Sequence, residues 1–100
     1  MSRGRNKKKI DPKLLTEEPR TSPTIERWTA RFGGRPSFAG IARSIGVSTE
    51  AVSRVMLDEE PWEPTQTAIA KLAGVSVGDL FGDAAWFRQA GRALEARRTA

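Results

Sequence analysis

The chain has 100 residues, a formal net charge of +5 and 38% apolar residues, a composition typical of one small soluble domain. It contains no Cys, His or Tyr, so it lacks disulfides, thiolate and imidazole metal ligands, and the commonest general base. We therefore expect a cytoplasmic protein that is not an enzyme and uses no cofactor or metal. No apolar run is long enough for a membrane span, and no secretory signal is apparent.

Positive charge is unevenly distributed along the chain. Residues 1–20 carry seven Lys/Arg against three Asp/Glu, whereas residues 58–83 carry one against six. The stretches 21–57 and 84–100 are again basic, with five against two and four against one. Basic ends and a basic first half favour a polyanionic partner.

Residues 1–20 are predicted to form a disordered basic N-terminal arm, because like charges with few apolar groups do not offset the entropy of ordering. Leu14 and Leu15 are its only apolar pair and can dock on the body. The cations that could enter a minor groove or follow phosphates are Arg3, Arg5, Lys7, Lys8 and Lys9. The alternative is a tail that only keeps the chain soluble.

From residue 21 onwards, apolar residues recur at helical spacing between Ser and Gly residues that suit helix ends. The predicted helices are 23–32, 38–45, 49–57, one from Thr65 that stops at Gly74, a short turn opened by Ser76 and running through Phe81, and 84–98 capped by Asp83. No strand is predicted. The fold class is all-α, a bundle of five to six helices in which 21–83 is the main domain. The C-terminal part, 84–100, either completes the core or pairs in a homodimer.

Residues 37–57 have the pattern of a helix-turn-helix unit. Ala42 is small enough for two helices to approach closely, and Gly46 permits a left-handed turn between them. Val47 is expected to fill the corner, and Ser48 to cap the second helix.

The second helix of this unit has a polar outer face made by Thr49, Glu50, Ser53 and Arg54. A helix of this width fits the major groove, where Arg can pair with guanine and Glu can accept from cytosine. The alternative interpretation is a solvated helix face without a ligand.

Residues 37–82 resemble the lambda-repressor-like helix-turn-helix family, which includes phage repressors and Cro-type regulators. The resemblance is carried by Ile41-Ala42, Ile45-Gly46-Val47-Ser48 and Val52-Ser53, and by the segment 69–82, which is similar to the family's fourth and fifth helices. Pro61-Trp62 before that segment also resembles the small Ner-like regulators.

The resemblance implies a transcriptional regulator, often a repressor, that binds double-stranded DNA as a homodimer in the cytoplasm, associated with the nucleoid. It implies that Thr49, Glu50, Ser53 and Arg54 read bases. Ser37 and Ser48 would bind the DNA backbone, and Arg43 would add a phosphate contact if it faces the duplex.

The loop after the reading helix departs from the family pattern. Residues 58–63 contain four carboxylates, which would repel nearby phosphates. Two other function classes therefore stay open. One is an interaction module, antitoxin-like or anti-activator, that binds a protein through loop 58–63 or helix 84–98. The other is an architectural nucleic-acid binder with little sequence preference.

Overall fold

A computed structural model describes residues 9–90. The described chain is mostly helical, in agreement with the predicted class. Its α-helices are α1 (Pro23–Phe32), α2 (Phe38–Ile45), α3 (Thr49–Met56), α4 (Glu63–Ala73) and α5 (Val77–Phe81). There are also two 3₁₀ helices, Pro12–Leu14 and Gly82–Ala84. Two short strands are present, β1 (Leu15–Thr16) and β2 (Arg35–Pro36). Over residues 9–90, no helix combines the length and apolarity that a membrane crossing requires.

The helix ends follow the local signals in the sequence. Helices α1 and α2 have the predicted bounds, α3 ends one residue earlier, and α4 begins two residues earlier than predicted. Four Ser hydroxyls accept a hydrogen bond from the amide three residues ahead, at 3.0–3.1 Å: Ser22, Ser37, Ser48 and Ser76. These bonds satisfy amides that a helix leaves unpaired at its start.

One apolar core joins all five helices. The predicted inward residues of α1 and α3 are buried, and Trp28 packs edge-on against Phe32 with ring centroids 4.7 Å apart. Helix α4 contributes Ile69 and Ala73, and α5 contributes Phe81. Helices α2 and α3 therefore each pack one face against this core and expose the opposite face to solvent.

The N-terminal segment differs from the prediction, because residues 9–20 have a defined place on the body. Leu14 is buried, and β1 pairs antiparallel with β2, so this part of the chain is not a disordered arm. The reason is contact with distant residues: Leu14 is buried in the core, and the backbone of β1 bonds to β2 about 20 residues later in the chain. Of the predicted arm cations, Lys9 is exposed, while Arg3, Arg5, Lys7 and Lys8 lie outside the described residues.

The predicted helix 84–98 also begins differently. Residues 82–84 form a 3₁₀ helix, Ala85 is extended and buried, and the α-helical residues start at Trp86. The cause is Gln66, which is 1% exposed. Its side chain donates to the carbonyl of Ala84 (2.8 Å) and accepts from the amide of Trp86 (2.7 Å), so it binds the backbone on both sides of Ala85, where the predicted helix is interrupted. Residues 91–98 of this prediction lie outside the described part.

Candidate nucleic-acid interface

Helices α2 and α3 form the predicted two-helix unit around shared buried side chains. Ile41 and Ala42 of α2 are buried, as are Val52 and Val55 of α3. Gly46 takes a left-handed conformation with φ of 76°, as the turn requires.

The turn between these helices is closed by its backbone. The amides of Gly46 (2.8 Å) and Val47 (3.1 Å) both donate to the carbonyl of Ala42. The prediction that the Val47 side chain fills the corner is wrong, because that residue is 38% exposed. The hydrogen bonds fix the turn without it.

The end of α3 is fastened to the beginning of α1. Ser22 Oγ donates to the carbonyl of Met56 at 2.6 Å. The Asp58 carboxylate accepts from Thr24, from its amide at 3.2 Å and from its hydroxyl at 2.5 Å. Asp58 adopts φ of 61°, a left-handed conformation that Asp tolerates better than most residues. A carboxylate at a helix N-terminus is also favoured by the helix dipole.

The four predicted base-reading residues lie on α3 as the periodicity indicated. Thr49, Glu50 and Arg54 are exposed and Ser53 is half-buried. The Arg54 side chain retains 53% of its accessible surface. The structure therefore brings together, on one short helix, two charged and two hydroxyl side chains that solvent reaches.

The three residues predicted to contact the DNA backbone differ in exposure. Ser48 is exposed, with its hydroxyl capping the amide of Ala51, and Arg43 is exposed in the last turn of α2. Ser37 is half-buried, and its amide donates to the carbonyl of Leu14 at 2.7 Å. That amide is therefore not available to a phosphate.

The N-terminal segment adds a cation that sequence reasoning did not select. A Cβ at Gly40, in the first turn of α2, would lie 2.0 Å from the carbonyl oxygen of Lys13, so the two backbones nearly touch. Lys13 is exposed. Its backbone therefore lies close to the start of α2, where the phosphate contact of Ser37 was expected, and its exposed side chain is a candidate cation for this surface. The sequence around Lys13 does not indicate this position, because the contact joins Lys13 to Gly40, which is distant in sequence.

Two arginines near this segment are bound into the fold instead. Arg20 pairs with Glu18 at 2.7 Å, and the hydrogen bonds from Arg20 lower the pKa of the Glu18 carboxyl. The Arg35 guanidinium donates to the carbonyls of Glu18 (2.6 Å) and Arg20 (2.8 Å). Arg35 therefore holds residues 18–20 beside β2, while Glu18 balances the charge of Arg20.

Arg54 lies between two carboxylates. It pairs with Glu50 at 2.7 Å, one turn earlier on α3, and its other terminal nitrogen is 3.8 Å from Glu60. All three side chains are more than half exposed. An exposed pair of this kind is worth only about 0.3–0.5 kcal/mol. Arg54 can therefore exchange a carboxylate for another acceptor at small cost.

The acidic loop, residues 58–63, is not uniformly directed away from α3. Asp58 is turned towards α1, whereas Glu60 faces Arg54. Glu63 lies in the first turn of α4, where the helix dipole favours an acid. Within residues 9–90, no group of three or more potential ligands is arranged to hold a metal ion.

Two depressions meet at Trp62, which is 59% exposed. The first, about 290 Å³, lies beside α3 and includes Arg54 and Glu60 in its lining. The second, about 550 Å³, is lined by Pro61, Trp62, Glu63, Pro64, Trp86, Gln89 and Ala90. An exposed Trp, flanked by acidic residues, therefore lies between two hollows.

Comparisons of this chain with protein-family models, with curated proteins and with solved structures found no match. What the interface can do follows from its own geometry.

We predict that Asp58→Ala lowers the free energy of unfolding by about 2 kcal/mol. The substitution removes the carboxylate that accepts two hydrogen bonds from Thr24 in the first turn of α1, and it leaves Ala in a left-handed conformation. Thermal unfolding would show a midpoint about 10 °C lower in a domain of this size. Asp58→Asn, which tolerates the conformation but lacks the charge, should lose about 1 kcal/mol. The neighbouring Glu59→Ala serves as the control, and equal stability of all three variants would contradict this role.

Proposed function

We propose that this protein binds duplex DNA sequence-specifically and regulates transcription, with α3 in the major groove. The observation that carries the proposal is the outward polar face of α3 on a two-helix unit that caps and buried side chains hold rigid. Recognition requires such preorganisation, because each loosely held side chain adds an entropic cost to binding.

The side chains on this face match the hydrogen-bonding groups of base edges. Arg54 can donate two bonds to O6 and N7 of guanine, and Glu50 can accept from the amino group of cytosine. Thr49 and Ser53 can bond to either base edges or phosphates. Exposed Arg43, Lys13 and the Ser48 hydroxyl supply candidate backbone contacts on the same two-helix unit and the segment beside it.

We further propose that the arrangement of α1 to α5 is lambda-repressor-like and that the protein acts as a homodimer. Support for the fold comes from the observed order of five short helices with the turn at Gly46. Support for the dimer comes from Phe87, which is 42% exposed at the start of the last helical segment. A two-fold dimer would place two α3 helices on successive half-sites of a duplex.

A protein partner is the second candidate, and exposed Trp62 favours it. Trp is enriched at the centres of protein interfaces, where its large apolar surface becomes buried. The hollow between Trp62 and Trp86 would accept an apolar side chain, and loop 58–63 would attract a basic one. In this case the protein would act as an interaction module of the antitoxin-like or anti-activator kind.

Selection of bound duplexes from random DNA, followed by Arg54→Ala, tests the main proposal. We expect a selected site, and a loss of about 1–3 kcal/mol in affinity for that site with a smaller loss for scrambled DNA. The matched control is Arg88→Ala, because Arg88 has the same 53% side-chain exposure and its own carboxylate, Asp83, at 3.8 Å. It should leave the discrimination between the two duplexes unchanged.

The other outcomes of that experiment point to the rival functions. An equal loss of affinity for every duplex would favour an architectural binder, which reads the backbone rather than bases. Failure of the wild-type chain to bind any duplex would overturn DNA binding and leave the protein-partner function.

Deletion of residues 2–8 tests the proposed contribution of the basic N-terminus. The deletion removes Arg3, Arg5, Lys7 and Lys8 but retains Leu14 and the β1–β2 pair. If all four cations contact phosphates, the slope of log affinity against log salt should become shallower by up to about 3.6. Fluorescence anisotropy over a salt series measures the slope. An unchanged slope with unchanged thermal stability would show that these residues only aid solubility.

A further inference from the structure

The carboxylates around Arg54 weaken its attraction for a phosphate. Arg54 carries one positive charge, while Glu50 and Glu60 lie 2.7 and 3.8 Å from its terminal nitrogens. The three groups together are negative by one charge. A phosphate that approaches Arg54 must therefore meet two carboxylates.

Glu60 is held beside Arg54 by the main chain. The amides of Glu59 (2.9 Å) and Glu60 (3.3 Å) both donate to the carbonyl of Arg54, and the amide of Trp62 donates to the carbonyl of Glu60 (2.9 Å). Glu59 and Glu60 thus fold back onto the last turn of α3, and a tight turn from Glu60 to Trp62 follows. Hydrogen bonds therefore fix the backbone of Glu60 next to Arg54, and from there its carboxylate lies 3.8 Å from the guanidinium.

A base edge and a phosphate would experience this carboxylate differently. The guanidinium has five N–H donors, so it can bond to a neutral guanine edge while it keeps contact with one or both acids. A phosphate brings a full negative charge next to Glu60 and is repelled at short range. The same carboxylate therefore opposes backbone contacts much more than base contacts.

We propose that Glu60 is a specificity-determining residue that reserves Arg54 for base edges by disfavouring its contact with phosphates. This inference rests on the proposed DNA-binding function. Glu60 acts through Arg54 and need not touch DNA itself. Its removal should raise affinity for DNA of any sequence more than affinity for the selected site.

The test measures affinity for a selected duplex and a scrambled duplex of the same length with wild type, Glu60→Gln and Glu63→Gln. Glu63 is the matched control, since it belongs to the same acidic loop but lines the hollow that contains Trp86. We expect Glu60→Gln to tighten binding of the scrambled duplex about threefold at low salt, the effect of roughly one phosphate contact. The ratio of the two affinities should fall by a similar factor, and Glu63→Gln should leave that ratio unchanged.

A double variant separates this role from a general charge effect. In an Arg54→Ala background, Glu60→Gln should no longer alter the ratio, because the side chain through which it acts is absent. An equal tightening of both duplexes, or an undiminished change of the ratio without Arg54, would overturn the inference and leave DNA binding intact. Absence of any duplex binding by wild type would instead overturn the proposed function together with this inference.

Discussion

The junction between the start of α1 and the end of α3 is the contact on which the candidate interface depends. Ser22 Oγ donates to the carbonyl of Met56, the last residue of α3, and the Asp58 carboxylate accepts from the amide and the hydroxyl of buried Thr24. A helix of eight residues has little stability of its own in water. Its orientation must therefore come from such contacts and from the buried side chains that it shares with α2.

This junction also explains why an acidic loop can follow a helix proposed to bind DNA. Asp58 contributes to the fold, because its carboxylate accepts from the amide of Thr24 in the first turn of α1 and its backbone takes a left-handed conformation just after α3. The chain then folds back over Arg54 and places Glu60 beside the guanidinium. One acid of the loop serves the fold, and we infer that another serves selectivity.

The local features of the fold could be predicted from the sequence, since caps and apolar spacing act over a few residues. They define α1 and α2 and select the exposed face of α3. Contacts between distant residues could not be predicted in this way. Thr24 with Asp58, Gln66 with Ala84 and Leu14 with Ser37 each join segments at least 18 residues apart. The ordering of residues 9–20 and the delayed start of the last helix both follow from such contacts.

A titration of the isotope-labelled protein with a selected duplex, followed by amide chemical shifts, tests the central claim most directly. If α3 reads the major groove, the largest shifts will fall on residues 48–54, with smaller ones near Lys13 and Arg43. The indole of buried Trp28 should change little. Shifts concentrated at residues 61–64 and 86–90, with α3 unaffected, would contradict the claim and place the ligand in the hollow between Trp62 and Trp86.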